Sequence, residues 1–183
     1  MSEQKAATRD GYGKALLELG KQNKNVVALD ADLSDSTRSE YFAKQFPERF
    51  FSMGIAEQNM IGAAAGLAFS GKIVFASTFA IFSERAYEFV RNIVSRNKLN
   101  VKIAGSHAGI FTGEDGKSAQ AIEDIAAYRA LPNMVILQPC DSVEAEKMVF
   151  ALAGCKGPSY MRLHRNPVSA IHVPYPISWA DEE

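Results

Sequence analysis

The sequence predicts an α/β protein of three layers, a doubly wound, mainly parallel sheet covered on both faces by helices. Three observations lead there. Six short runs rich in β-branched or aromatic residues recur along the 183-residue chain. Each reads as apolar on both faces, as strands covered from both sides do. Longer stretches of helical period lie between them, the alternation that builds βαβ units. No repeat, low-complexity tract or interdomain linker interrupts this pattern. Residues 1–183 are therefore expected to form one domain, with a core over about 7–167.

Taken in order, a helix is expected near 11–21, followed by a strand at Val26-Val27-Ala28-Leu29. A second buried strand is read at Phe50-Phe51-Ser52-Met53, and a helix rich in small residues over 57–69. Ile73-Val74-Phe75-Ala76 gives the third strand and 83–96 the next helix. Val101-Lys102-Ile103-Ala104 is the fourth strand, with a helix over 120–130, and Met134-Val135-Ile136-Leu137 the fifth. After a helix over 142–153, the turn Gly157-Pro158 leads into a sixth strand, Tyr160-Met161-Arg162-Leu163. The first eight and last ten residues read as tails.

Composition narrows the function. Twenty Lys+Arg against 21 Asp+Glu leave a formal net charge of −1, which gives no basic face for nucleic acid or acidic lipid. The two cysteines, Cys140 and Cys155, are too few for a disulfide framework or a zinc site and read as small buried thiols. The three histidines, His107, His164 and His172, show no zinc spacing, and no metal site is expected within the chain. No apolar run is long enough to span a bilayer, and the polar start lacks the apolar middle of a secretion signal. A cytoplasmic location is expected. Gly113-Glu-Asp-Gly116 lacks the Gly-Lys-Ser/Thr ending of a phosphate-binding P-loop. Neither a dinucleotide fingerprint nor a nucleophile elbow occurs, so a self-contained dehydrogenase or hydrolase is disfavoured.

In open parallel sheets ligands bind outside the carboxyl ends of the strands. That directs attention to 30–39, 54–59, 77–85 and 106–120, which hold much of the polar chemistry. Glu57 lies in the first turn of its helix, where an acid is also favoured by the helix dipole alone. Phe79 and Phe82 sit where a strand hands over to a helix, a spacing that fits core packing as well as a ligand. The glycine-rich 105–116 segment permits close backbone approach, and also fits a solvated loop.

Together, five motifs carry a resemblance. Ala-Thr-Arg-Asp-Gly-Tyr-Gly at 7–13, Asp30-Ala-Asp-Leu-Ser34, Gly54-Ile-Ala-Glu-Gln-Asn-Met60, Ser77-Thr-Phe-Ala-Ile-Phe82 and Gly113-Glu-Asp-Gly116 occur in order. The chain resembles, from about Ala7 to Pro167, the pyrimidine-binding domain of the transketolase family of thiamine diphosphate enzymes. The resemblance implies the thiamine diphosphate-binding fold of the pyrimidine type. It implies that Glu57 bonds to N1′ of the cofactor's aminopyrimidine and favours the tautomer that takes the proton from C2 of the thiazolium. It gives Phe82 the stacking face for the pyrimidine, Phe79 the wall behind it, and Asp32 a place near the cationic thiazolium. Arg85 joins this cofactor-binding set through Phe82-Ser-Glu-Arg-Ala-Tyr87, a pattern shared with deoxyxylulose-5-phosphate synthases.

For the substrate the resemblance implies His107 near the sugar-phosphate end, Asp115 at a donor hydroxyl and Ser36 at a phosphate. Two positions depart from the family: Ala119 replaces a histidine near the reacting centre, and Gln138 stands where full-length transketolases carry a phosphate-binding arginine. The Gly-Asp-Gly…Asn segment that holds magnesium and diphosphate does not occur in the chain, nor does the family's third, carboxy-terminal domain. The expected function is the pyrimidine-binding half of a split transketolase, inactive alone, moving a two-carbon ketol unit from a ketose phosphate to an aldose phosphate. A diphosphate-binding, amino-terminal-section subunit would complete the site, with Mg2+ held by that partner chain or domain, in a homodimer or hetero-oligomer. The chain is expected to be either the product of a split gene or a fragment of a longer protein. The apolar faces of the 57–69 and 83–96 helices are candidate contacts, or equally core. The alternatives are a deoxyxylulose-5-phosphate synthase-like component and a non-catalytic assembly module of the same fold.

Overall fold

The computed structural model describes residues 5–171. Its centre is a six-stranded sheet in the order β3-β2-β4-β5-β7-β6, formed by Val26–Asp30 (β2), Phe50–Ser52 (β3), Ile73–Phe79 (β4), Val101–Ser106 (β5), Val135–Leu137 (β6) and Ser159–Arg162 (β7). Every pair in it is parallel, as the doubly apolar strands require. A short antiparallel ribbon, Lys5–Ala6 (β1) with Val168–Ser169 (β8), lies apart from it. The amino-terminal residues read as a tail thus include a strand, and Thr8–Gln22 (α1) begins three residues before its expected start. Asp10 fixes that start by accepting the Ala7 backbone N–H at 3.1 Å, satisfying a donor that a helix end leaves open. The expected tail over the last ten residues, and His172, lie outside the described residues.

Alternation along the strands feeds two cores. Val27, Leu29, Val74, Ala76, Val101, Ile103 and Tyr160 face Glu57–Phe69 (α4), the 84–95 segment and Asp124–Arg129 (α7). Their neighbours Val26, Ala28, Phe75, Ala104 and Met161 face α1, Glu40–Gln45 (α3) and Ser142–Gly154 (α8). On this second face α1 and α8 approach so closely that a Cβ at Gly11 would lie 2.1 Å from the Ser142 carbonyl oxygen. Only glycine fits there. Asp141 caps α8, accepting the Glu144 N–H at 2.8 Å.

Four expectations change. Phe50–Ser52 and Val135–Leu137 are edge strands, so Phe51, Ser52 and Val135 are exposed rather than covered. The 83–96 helix is a broken run: Ala80–Ser83 (α5), a tight turn over Glu84–Ala86, Tyr87–Phe89 (α6) and a widened π-type turn over Val90–Ser95. The Ser83 hydroxyl bonds back to the Ala80 carbonyl and also receives the Tyr128 O–H at 2.8 Å, a pattern that bends helices. The 120–130 helix shortens to α7, because Ala121 is still held in an extended bridge with Gly109. Cys140 and Cys155 are exposed, not buried. Among the described residues no helix is long and apolar enough to cross a membrane.

Candidate active site

The four segments that follow β2, β3, β4 and β5 meet at the carboxyl edge of the sheet, and the site grows from what each strand end delivers. After β2, the buried Asp30 gathers its own loop. Its carboxylate accepts the Leu33 N–H at 2.5 Å and the Thr37 and Ser39 hydroxyls at 2.8 and 2.9 Å. Burial raises the Asp30 pKa, and these three bonds oppose that rise by favouring the ionised form. The loop so fixed carries Asp32, exposed and in the left-handed region at φ 64°, and Ser36 on the short helix Ser34–Thr37 (α2).

After β3 the chain reverses at Gly54, φ 67°, and enters α4 at Glu57. Glu57 is only 4% exposed. Its two carboxylate oxygens lie 3.3 and 3.4 Å from Nη1 of Arg85, and among the described residues no other hydrogen bond reaches them. The Arg85 side chain is 54% exposed, so a buried acid is partnered by a cation that is mostly in water.

From Arg85 a column of flat groups crosses the edge. The guanidinium carbon lies 4.8 Å from the centroid of Phe82. Phe82 stacks on Phe79 at 5.4 Å and 11°, and Phe79 stacks on His107 at 3.8 Å and 21°. The register explains the last contact: Phe79 ends β4 opposite Ser106 of β5, and His107 follows with φ 58°. Nε2 of His107 faces Nη1 of Arg9 at 3.4 Å, and Nδ1 faces the Ser106 hydroxyl at 3.0 Å. Arg9 has only donors, so Nε2 accepts and Nδ1 carries the hydrogen. Burial first, then the Arg9, Arg165 and Arg38 guanidiniums, lowers the His107 pKa to about 3. The imidazole is neutral. Nη1 of Arg9 also donates to the Ser36 carbonyl at 2.9 Å, which ties the α1 end of the site to the β2 loop.

Beyond His107 the chain is mostly exposed to solvent. Asp115 lies on the exposed turn Gly113–Asp115, next to Glu114, whose carboxylate accepts from Nη2 of Arg165 at 2.6 Å. Ala119 is buried. Gln138, at the end of β6, is exposed, and Nη1 of Arg162 from the neighbouring end of β7 approaches its Oε1 at 3.5 Å. A guanidinium therefore stands beside the position that Gln138 leaves without one. The structure thus joins Glu57, Arg85, Phe82, Phe79 and His107 in one contiguous set, reaches Ser36 through Arg9, and leaves Asp32 and Asp115 on flanking loops. Arg9, Arg162 and Arg165 are the cations the motif reading missed. Arg9 lay within a quoted motif, and Arg162 follows the apolar pair Tyr160-Met161 at a strand end, the position where ligand-facing residues collect.

These side chains suit a flat heteroaromatic ring with N–H groups on its edge: a buried carboxylate to receive a ring hydrogen and a phenylalanine face to stack on. Among the described residues, no group of three or more His, Cys, Asp or Glu side chains is placed to hold an ion.

Comparison with known proteins gives a consistent result. Residues 4–169 match the family described as transketolase, pyrimidine binding domain. A Methanocaldococcus jannaschii protein described as a transketolase C-terminal section is 56% identical over 165 residues, covering 90% of this chain and 52% of that one. Human transketolase is 43% identical over 168 residues, 91% of this chain and 27% of its own length. Among solved structures, a split-gene transketolase described as an inactive beta4 tetramer superposes with TM-score 0.83 at 54% identity, over 92% of this chain and 54% of that one. The Campylobacter jejuni transketolase gives 0.86 at 31% identity, over 94% and 28%. The chain spans about half the length of the C-terminal-section relative and about a quarter of the full-length enzymes.

Proposed function

The chain belongs to the transketolase family through its pyrimidine-binding domain, and on that premise we propose that it is the pyrimidine-binding component of a thiamine diphosphate-dependent transketolase. It would act in the transfer of a two-carbon ketol unit from a ketose phosphate to an aldose phosphate. The observation that carries the reading is Glu57: a buried carboxylate at a helix start, beside the aromatic column of Phe82 and Phe79. When bound, thiamine diphosphate supplies the carbon nucleophile that takes up and passes on the two-carbon unit.

This chain's residues do the rest. Glu57 holds the proton at N1′ of the aminopyrimidine and, by giving and recovering it, tunes the basicity of the ring's exocyclic nitrogen. Burial keeps water from competing for that proton. Phe82 supports the ring, and Phe79, clamped between Phe82 and His107, keeps Phe82 in place. Asp32 offers negative charge toward the thiazolium. His107, neutral and with its tautomer fixed, joins Arg9, Ser36 and Arg162 as the polar lining for a sugar phosphate, and Asp115 accepts from a donor hydroxyl. The diphosphate and Mg2+ would be held by an amino-terminal-section partner chain or domain, in keeping with the split-gene relatives.

The test is affinity capture of this chain from its native source, with mass spectrometry of its companions. A stoichiometric partner bearing a Gly-Asp-Gly…Asn segment, and ketol transfer by the mixture, is the expected result. A chain recovered alone, or a mixture whose activity survives Glu57→Gln, would remove the reading and favour an assembly module.

A further inference from the structure

We propose that Arg85, in place of the cofactor-binding role that the family resemblance implies, is a placeholder for the aminopyrimidine ring, occupying Glu57 and the face of Phe82 until the cofactor displaces it. The inference rests on the reading of the site given above. A carboxylate withdrawn from water must be partnered, and Glu57, 4% exposed, has Arg85 as its hydrogen-bond partner. The same guanidinium lies 4.8 Å from the Phe82 centroid. One flat group therefore meets the acid with its N–H edge and the phenylalanine with its π-face. Those are the two contacts that an aminopyrimidine needs, and both groups cannot make them at once.

The contact is also built to be broken. A single nitrogen, Nη1, serves both carboxylate oxygens, at 3.3 and 3.4 Å. That is the long end of hydrogen-bond distances, without the paired nitrogens of a strong arginine–carboxylate fork. The side chain is more than half exposed and rises from the short turn Glu84–Ala86. Its outward swing would disturb no core residue, since the buried member of that turn is Ala86. With the placeholder seated, only the displaced fraction of molecules is competent to bind, and the apparent affinity falls by that fraction. Arg85 thereby protects the buried acid from lacking a partner and delays pyrimidine entry.

The test titrates the chain, reconstituted with the diphosphate-binding partner captured with it, with thiamine diphosphate and magnesium ions in isothermal titration calorimetry. Arg85→Met keeps the stem and removes the flat cation, and it should bind about threefold tighter or more. Arg85→Lys keeps the charge without the plane and should fall between wild type and Arg85→Met. Thermal melting of the ligand-free variants checks that each is folded, and Arg85→Lys carries the test if Arg85→Met is not. Unchanged or weaker binding by the folded variants overturns the placeholder. Glu57→Gln separates the two levels: if it abolishes binding while Arg85→Met changes nothing, only the placeholder fails. If Glu57→Gln binds like wild type, or no protein gives a signal, the reading of the site fails and the placeholder with it.

Discussion

The carboxyl edge of the sheet has two walls of different construction. One is the column from Glu57 through Phe82 and Phe79 to His107, in which the acid, Phe79 and the imidazole are all buried and each ring rests on the next. The other is the 109–122 segment, where tight turns replace helix and Ile110, Phe111, Asp115 and Ile122 face solvent. The first wall is an outgrowth of the core, and its geometry is set by strands that pair in register. The second hangs from the core at its ends, at His107 and at the buried Asp124. On the proposed roles of Glu57 and Asp115, proton chemistry belongs to the wall built out of the core, and hydroxyl recognition to the wall exposed to solvent. Substitutions in the first should change chemistry and cofactor binding, and those in the second should change substrate affinity alone.

The largest effect is expected at Glu57. Glu57→Ala should lower ketol transfer by the reconstituted mixture 100- to 10,000-fold, about 3–5 kcal/mol, in steady-state assays at saturating cofactor. Turnover within threefold of wild type would break the division between the walls at its strongest point. Next comes Asp124, 0% exposed, which accepts from Nε of Arg162 at 2.8 Å and from the Tyr160 hydroxyl at 2.7 Å. Asp124→Ala leaves the Arg162 cation without its carboxylate and should cost about 3 kcal/mol of stability in urea unfolding. A loss under 1 kcal/mol would show that the exposed wall is not anchored there.

His107 sharpens the comparison through pH. Its folded pKa of about 3 lies below the ordinary value of 6.5, so the unfolded chain binds the proton more tightly between those values. Its contribution is fully present above pH 6.5 and is lost as pH falls from there toward 3, on the order of 2–3 kcal/mol by pH 4. His107→Gln should flatten the acid limb of a stability–pH curve over that window. An unaltered limb would mean that the imidazole is not held neutral by the column. Phe82 follows, with Phe82→Ala expected to weaken cofactor binding by about 1–3 kcal/mol through lost stacking and burial. Wild-type affinity in calorimetry would reassign the stacking face.

Legibility divides along the same line. The placement of Glu57 at a helix start and of the two phenylalanines at a strand-to-helix handover could be read from sequence because it is local, whereas their expected roles came only with the family resemblance. The position of Phe51 on an edge strand could not, since it depends on β3 being last in a spatial order that the chain does not spell out. The break in the 83–96 helix was hidden for a similar reason, because the Tyr128 hydroxyl that donates to Ser83 lies 45 residues away. Arg9 and Arg162 were missed because their roles arise from groups 98 and 38 residues distant, His107 and Asp124. Local chemistry announces itself. Chemistry assembled across the sheet does not.

Asp115 should give the smallest change in stability, and it is the cleanest probe of the exposed wall. It stands on a three-residue turn between two glycines in the left-handed region, Gly113 at φ 72° and Gly116 at φ 73°, with its side chain in solvent. Nothing in the core rests on its carboxylate, so Asp115→Asn should alter unfolding free energy by no more than about 0.5 kcal/mol. If it accepts a hydrogen bond from a donor hydroxyl, the amide retains a weaker acceptor, and KM for the ketose phosphate should rise several-fold with kcat nearly constant, the signature of lost uniform binding. A fall in kcat without a rise in KM would instead move Asp115 into the proton chemistry of the buried column. The division between a buried chemical wall and an exposed recognition wall would then have to be redrawn through the 113–116 turn.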